Sequence, residues 1–353
     1  MSLPRRAVVG AGAWGTTLAL RLVASGPVYL LARDEQTVRT LSEARENRRH
    51  LPGFSLPAEI VIGADPAGLA AADELVVVAV PSMAVRLEAA RWGASVHPSA
   101  VVLSAAKGIE RGSLRRMSEV LAEQIPAARG RIAALSGPNL ALEIAQGLPA
   151  SSVVAAVDEA ISQRVLPLLG SRTLRLYTNR DVIGVELCGA LKNIIAIAAG
   201  AAEGLGFGDN AKASLITRGL SEMTRLGLAA GANPLTFAGL AGVGDVLATC
   251  TSGLSRNHRL GVELAKGRPW ADIEGWLPGV AEGAYTVDAA LGLAERLGVE
   301  MPIAQEVHNA LFEAKSVQRC LSDLLSRESK DELTGLGDWV QQRLSVSADG
   351  APV

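Results

Sequence analysis

Residues 7–32 read AVVGAGAWGTTLALRLVASGPVYLLA. The apolar run 7–10 has the length of a short buried strand. Gly10-Ala-Gly12-Ala13-Trp14-Gly15 follows, and TTLALRLVASG then carries an amphipathic helical pattern that ends at Gly26. A second strand begins at Val28. Strand, GxGxxG, helix and strand in immediate succession make a dinucleotide-binding βαβ unit. Gly10 permits the tight turn, and Gly12 lets backbone N–H groups approach a pyrophosphate. Gly15 lets the helix lie close to the strand, with its positive N-terminal end facing the anion. The residue after the second strand selects the cofactor. An acid suits the ribose 2′-OH of NAD, and an arginine suits the 2′-phosphate of NADP. The chain has Arg33 followed by Asp34, which leaves both cofactors open. Asp34 equally suits the N-cap of the next helix.

The alternation continues outward. We expect a helix over 35–47, a loop over 51–57, a strand near 59–62 and a helix near 66–72. ELVVVAV (74–80) is a continuous apolar run of the kind found in buried parallel sheets. Further strands fall at 100–104, 131–135, 151–155 and 173–177, with helices between them. This pattern implies an α/β fold with a parallel, doubly wound sheet, in which the last strands pair differently. Ligands of such sheets lie beyond the carboxyl ends of the strands, where Lys107 and the Gly137-Pro138-Asn139 turn fall.

After Thr178 strand patterns disappear. Helices are expected over 181–203, 209–230, 257–266, 285–297, 304–314 and 333–344. The division is therefore a dinucleotide-binding domain over 1–180, an all-helical domain over 181–344 and a frayed tail over 345–353. The first of these helices, VIGVELCGALKNIIAIAAGAA (182–202), is apolar apart from Glu186, Lys192 and Asn193. Helical spacing surrounds Lys192 with small and apolar side chains. Such a lysine either snorkels to water or carries a charge with a task. Two Gly-rich segments, 203–210 and 238–253, have the composition of ligand loops or of helix caps and turns.

Composition narrows the class. A net charge of −2 and a pI near 6.2 give no electrostatic reason to expect nucleic acid or an anionic membrane as partner. Cys188, Cys250 and Cys320 are widely spaced, which argues against a disulfide framework and fits a reducing cytoplasm. Four scattered histidines lack metal-ligand spacing, so no metal site is expected. Residues 182–202 are nearly long enough to span a membrane, but their Glu, Lys and Asn would be costly at mid-bilayer, so no insertion is expected.

Taken with NRRHLPG (47–53), SAAKGIE (104–110), SGPNLALEIA (136–145), VELCGALKNIIAIAAG (185–200), LAGVGDVLATCTSGLSRNHRLG (240–261) and GVAEGAYTV (279–287), these segments resemble the bacterial-type, soluble NAD(P)-dependent glycerol-3-phosphate dehydrogenases. The resemblance implies a Rossmann domain followed by a helical domain like that of 6-phosphogluconate dehydrogenase. It implies reversible reduction of dihydroxyacetone phosphate to sn-glycerol 3-phosphate, which supplies phospholipid synthesis, and a cytoplasmic homodimer. Lys192 matches the family's proton-transfer lysine, and Asp245 lies in the matching GxGD segment. Lys107, Gly137, Ser255, Arg256 and Asn257 match substrate-contacting positions. Asn139 stands where relatives usually carry a substrate-contacting serine. Beside Gly10, Gly12 and Gly15, the residues Ala13, Trp14, Arg33, Lys107, Ala141, Arg256, Val280 and Glu282 match cofactor-contacting positions. Dehydrogenases of hydroxy acids and sugar acids share the first half and the lysine-bearing helix. Asp245 and Ser255-Arg256-Asn257 distinguish this chain from them, and their combination with Lys192 distinguishes it from a nucleotide-binding sensor.

Overall fold

The computed structural model describes residues 3–277, 279–328 and 332. Its first half is one eight-stranded sheet with the order β10-β9-β8-β7-β6-β1-β2-β5. The strands are β1 (Arg6–Val9), β2 (Val28–Leu31), β3 (Glu46–Asn47), β4 (Leu51–Ser55), β5 (Ile60–Gly63), β6 (Leu75–Val78), β7 (Val101–Ser104), β8 (Ile132–Ser136), β9 (Ala150–Ala155) and β10 (Leu174–Asn179). β3 and β4 form a separate antiparallel pair, so the expected loop over 51–57 is mostly strand. Every pairing in the large sheet is parallel except β8 with β9. The change of direction falls among the last strands, as expected: β8 and β9, joined by residues 137–149, run antiparallel.

Side chains alternate between two covered faces, as strand geometry requires. Val8, Leu30, Val77 and Leu103 pack with α1 (Ala13–Leu22), α2 (Glu35–Ala44) and, further along, α6 (Glu159–Leu169). Val9, Leu31, Val76 and Val102 pack with α3 (Val85–Trp92) and α4 (Met117–Gln124). α5 (Ala141–Ala145) lies against α1, where Thr17 Oγ1 donates to the Ala141 carbonyl at 3.1 Å. The turn from β1 to α1 is as tight as the glycines imply. Gly10 has φ +106°, and a Cβ on Gly15 would lie 1.9 Å from the Gly10 carbonyl oxygen.

The second half is helical and is organised around α7 (Val182–Gly204). Asp181 starts this helix by accepting from Gly184 N at 2.9 Å. Around it stand α8 (Asp209–Ala229), α9 (Pro234–Phe237), α10 (Asp245–Thr251), α11 (Arg256–Ala265), α12 (Trp270–Trp276), α13 (Glu282–Leu297), α14 (Pro302–Phe312) and α15 (Val317–Leu325). Four of these, α9, α10, α12 and α15, fall outside the expected helices. α9 and α12 have too few residues for a strong periodic signal, whereas α15 carries Val317, Cys320, Leu321 and Leu324 at helical spacing and was missed despite it. The Gly-rich 238–253 segment is a π-type turn over Leu240–Gly244 that feeds directly into α10. The expected helix over 333–344 and the tail over 345–353 lie outside the described residues.

α7 is long and apolar enough to cross a membrane, as is the Pro234–Thr251 segment, but the apolar window of α7 is 94% buried within the fold. Its small residues explain this enclosure. A Cβ on Gly261 of α11 would lie 1.9 Å from the Ile197 carbonyl oxygen, and one on Gly200 would lie 2.0 Å from that of His258. The backbones of α7 and α11 therefore touch. Glu186, unassigned from sequence, ties α7 to the sheet domain. It accepts from Arg116 Nη1 at 2.6 Å and Ser118 N at 2.7 Å. Burial raises its pKa, and Arg116 and Ser118 oppose that shift. Gly261→Ala should lower stability by about 2 kcal/mol or more, because the contact it enters is backbone on both sides. Thermal unfolding measures this, and an unchanged midpoint would refute the close approach.

Candidate active site

The segments that follow β7 and β8 face α7, and Lys107, Gly137, Lys192 and Asp245 meet there. Lys192 is 7% exposed and Asp245 is 1% exposed. The Lys192 ammonium donates to Asp245 Oδ1 and, at 2.7 Å, to Thr249 Oγ1. Lys107 reaches over from the end of β7. Its Nζ donates to Asp245 Oδ2 at 2.6 Å and to the Gly137 carbonyl at 3.1 Å. Asp245 thus sits between two ammonium groups. It lies where the π-type turn over Leu240–Gly244 runs into α10.

The pKa values follow from this arrangement. Burial lowers Lys192 to about 7, Asp245 opposes the shift and Lys107 adds to it. Burial pushes Asp245 upward, but Lys107 and then Lys192 outweigh it and leave the carboxyl below its usual value. Asp245 is therefore an anion at neutral pH, while Lys192 exchanges its proton in the working range. An ammonium has three donors. Two are taken by Asp245 and Thr249, which leaves one for a ligand oxygen. Thr249 escaped the sequence reading, although its position one helical turn after Asp245 put it on the same face.

α11 brings the remaining polar groups. Ser255 is its N-cap and accepts from His258 N at 3.2 Å, so the helix begins at Arg256, one residue earlier than expected. Arg256 opens to solvent at this positive helix end. Asn257 is held at both ends of its amide. It donates to Asn193 Oδ1 at 2.9 Å and accepts from Gly283 N at 2.9 Å. That bond gives Asn193, unassigned from sequence, its place. It also leaves Asn257 one N–H for a ligand. Glu282 is held by the sheet domain. Ser82 N donates to its Oε1 at 3.2 Å and Ser82 Oγ to its Oε2 at 2.5 Å. Glu282 and the neighbouring Val280 therefore lie beside the strand ends.

The β1–α1 turn suits a pyrophosphate. Gly12 caps α1 without a side-chain hydrogen bond, so the first N–H groups of the helix keep their donors. A Cβ on Gly12 would meet no protein atom within 4 Å, which means open space in front of them. Ala13 and Trp14 form the first turn of α1, and Ala141 faces it from α5. Beyond β2, Asp34 caps α2 by accepting from Thr37 N and Oγ1, each at 2.7 Å. Those bonds, with Arg33, hold its pKa at about 2. The Arg33 side chain is 77% exposed. His50 has its pKa lowered by partial burial and then by the charges of Arg49, Arg256 and Arg33, which therefore share one region.

Comparison with known proteins agrees with this geometry. Residues 6–162 match the N-terminal model of NAD-dependent glycerol-3-phosphate dehydrogenase, and residues 181–322 match the C-terminal one. The chain is 45% identical to a glycerol-3-phosphate dehydrogenase [NAD(P)+] of Streptomyces avermitilis, over 94% of this chain and 99% of that protein. It is 44% identical to one of Desulfitobacterium hafniense, over 98% and 97% of the two chains. The crystal structure of a glycerol-3-phosphate dehydrogenase from Coxiella burnetii superposes with a TM-score of 0.86 at 36% identity, covering 91% of this chain and 98% of that one. With both halves matched in order across the two polar clusters just described, the chain belongs to the NAD-dependent glycerol-3-phosphate dehydrogenase family.

Proposed function

We propose that this enzyme reduces dihydroxyacetone phosphate to sn-glycerol 3-phosphate with NAD(P)H, reversibly. The observation that carries the reading is the buried Lys192–Asp245–Lys107 cluster, set where the strand ends meet α7. NAD(P)H bound on the β1–α1 turn supplies the hydride. Lys192 donates a hydrogen bond to the ketone oxygen, stabilises the negative charge that develops there, and delivers its proton to that oxygen. In the oxidation direction neutral Lys192 takes the proton from the substrate hydroxyl. Asp245 and Thr249 hold the ammonium in place for both. Lys107 keeps Lys192 from becoming too weak an acid. Arg256, with its planar fork, and Asn257 hold the phosphate at the start of α11. The two cations around one carboxylate leave the site net positive, which suits a phosphorylated substrate. A division into two domains near residue 180, a homodimer and a cytoplasmic setting are part of the same proposal. The division follows the loss of strand patterns after Thr178, the cytoplasmic setting rests on the widely spaced cysteines, and the homodimer rests on the family resemblance.

The cofactor side supports NADPH. The acid that would receive a ribose 2′-OH, Asp34, is engaged in capping α2, and Arg33 and Arg49 stand near each other around His50. Guanidinium groups bind a 2′-phosphate, and a capped carboxylate is a poor partner for a hydroxyl.

Mixing the protein with dihydroxyacetone phosphate and NADPH or NADH should consume the reduced cofactor, followed by its absorbance; no loss with either one refutes the reading. Lys192→Ala should fold, bind NADPH and lose at least about a thousandfold in kcat, as the proton donor and the charge are both removed. A pH profile gives an independent check. For reduction the free enzyme must hold the Lys192 proton, so kcat/KM should fall as pH rises through about 7. For oxidation Lys192 must be neutral, and kcat/KM should instead fall as pH drops through about 7. Replacing Arg33 and Arg49 together by serine should raise KM for NADPH about tenfold and change KM for NADH far less. Equal effects on both cofactors would remove the 2′-phosphate from this region.

A further inference from the structure

Asn139 and Ser152 make a contact that none of the roles above uses. The antiparallel register of β8 and β9 pairs Ser136 with Val153, which sets Ser152 beneath the turn that follows β8. Gly137 in that turn has φ +134°, and a Cβ built on it would lie 3.0 Å from Ser152 Cα. The backbone of the turn therefore rests directly on Ser152, which is 1% exposed. From there the Ser152 hydroxyl donates to Asn139 Oδ1. The other end of the same amide, Nδ2, is buried and has no acceptor among the described residues. The Gly137 carbonyl, two residues before Asn139, holds Lys107 and so joins this turn to the cationic cluster.

A carboxamide has two ends of nearly the same shape and opposite hydrogen-bonding character. A serine hydroxyl can donate to one end or accept from the other, and here Ser152 holds the Oδ1 end. With the Ser152 hydroxyl on Oδ1, the NH2 group lacks an acceptor among the described residues. A buried donor without a partner costs roughly 1–3 kcal/mol, so such a group in a site is accounted for when a ligand completes it. The ligand of a cluster with two ammonium groups and one carboxylate is rich in acceptor oxygens. We propose that Ser152 is a positioning residue that holds the Asn139 carboxamide with its NH2 group presented to an oxygen of the phosphorylated substrate. Position 139 is then a dedicated donor, and Ser152 acts on the substrate only through it. The inference rests on the reaction assigned above.

Steady-state kinetics on the purified full chain tests it. Ser152→Ala should raise KM for dihydroxyacetone phosphate about fivefold, the worth of one oriented hydrogen bond, with kcat and KM for NADPH unchanged. Ser152→Thr, which keeps the hydroxyl, should restore the parent KM. Asn139→Ala should raise the same KM, and adding Ser152→Ala to it should produce no further change, since the second residue then has nothing to orient. Asn139→Asp keeps an oxygen for Ser152 but replaces the donor by an anion; it should raise that KM at least about a hundredfold. Additive effects in the double variant, an equal loss in kcat and in KM for NADPH, or failure of Ser152→Thr to rescue would overturn the role of Ser152 while leaving the reaction intact. A parent enzyme inactive on dihydroxyacetone phosphate would overturn the reaction and this inference together.

Discussion

The burial of the Lys192 ammonium is the constraint from which the site's remaining features follow. An ammonium in a nearly water-free position loses several kcal/mol of hydration, and the protein must offset this or give up the charge. Asp245 supplies the offset, and Lys107 limits it. The result is a lysine poised near neutrality rather than one locked in a salt bridge. Neither lysine nor the carboxylate would serve alone. Lys192 without Asp245 would be neutral and unheld, and Lys192 with Asp245 but without Lys107 would keep its proton too firmly.

Holding three charges together needs three segments far apart in sequence. Lys107 comes from the end of a strand, Lys192 from the middle of a helix and Asp245 from the start of another. The small residues of α7 make this possible. Because Gly200 and Gly261 let helix backbones touch, α7 can be enclosed on nearly all sides and still present one long polar side chain. Its ends and flanks are anchored by polar pins. Asp181 begins the helix, Glu186 ties it to Arg116 and Ser118 of the sheet domain, and Asn193 ties it to Asn257. Two further contacts, Ser82 with Glu282 and Lys107 with Asp245, cross between the sheet and the helical half. The crevice for cofactor and substrate is thus bounded by hydrogen bonds as well as by apolar packing.

The legible parts of the sequence were those with a local signal. The β1–α1 turn, the continuous apolar strands and the long α7 each announce themselves through spacing that a single element imposes. Shorter elements did not. α9 and α12 carry too few turns for periodicity, and β4 contains Pro52 and Gly53, which read as loop. The Gly-rich stretch before Asp245 also read as loop, because a π-type turn leading into a helix has no simple period. Thr249 and Ser152 were missed for a different reason: their partners lie on other elements, and neither residue type is distinctive by itself.

What the sequence determined alone was the class of the fold and the identity of the reactive groups. Continuous apolar strand runs alternating with helices imply a covered parallel sheet, a period of 3.6 implies packed helices, and a lysine in an apolar helix must be either exposed or employed. What only the tertiary structure decided was the state of those groups. Protonation depends on burial and on neighbours a few ångströms away, and these neighbours are brought from other elements by packing. The same holds for Asp34, which the sequence left as ribose ligand or helix cap and the fold made a cap through Thr37. Hydrogen-bond direction is likewise a property of the folded chain, as the Asn139 amide beneath its turn shows.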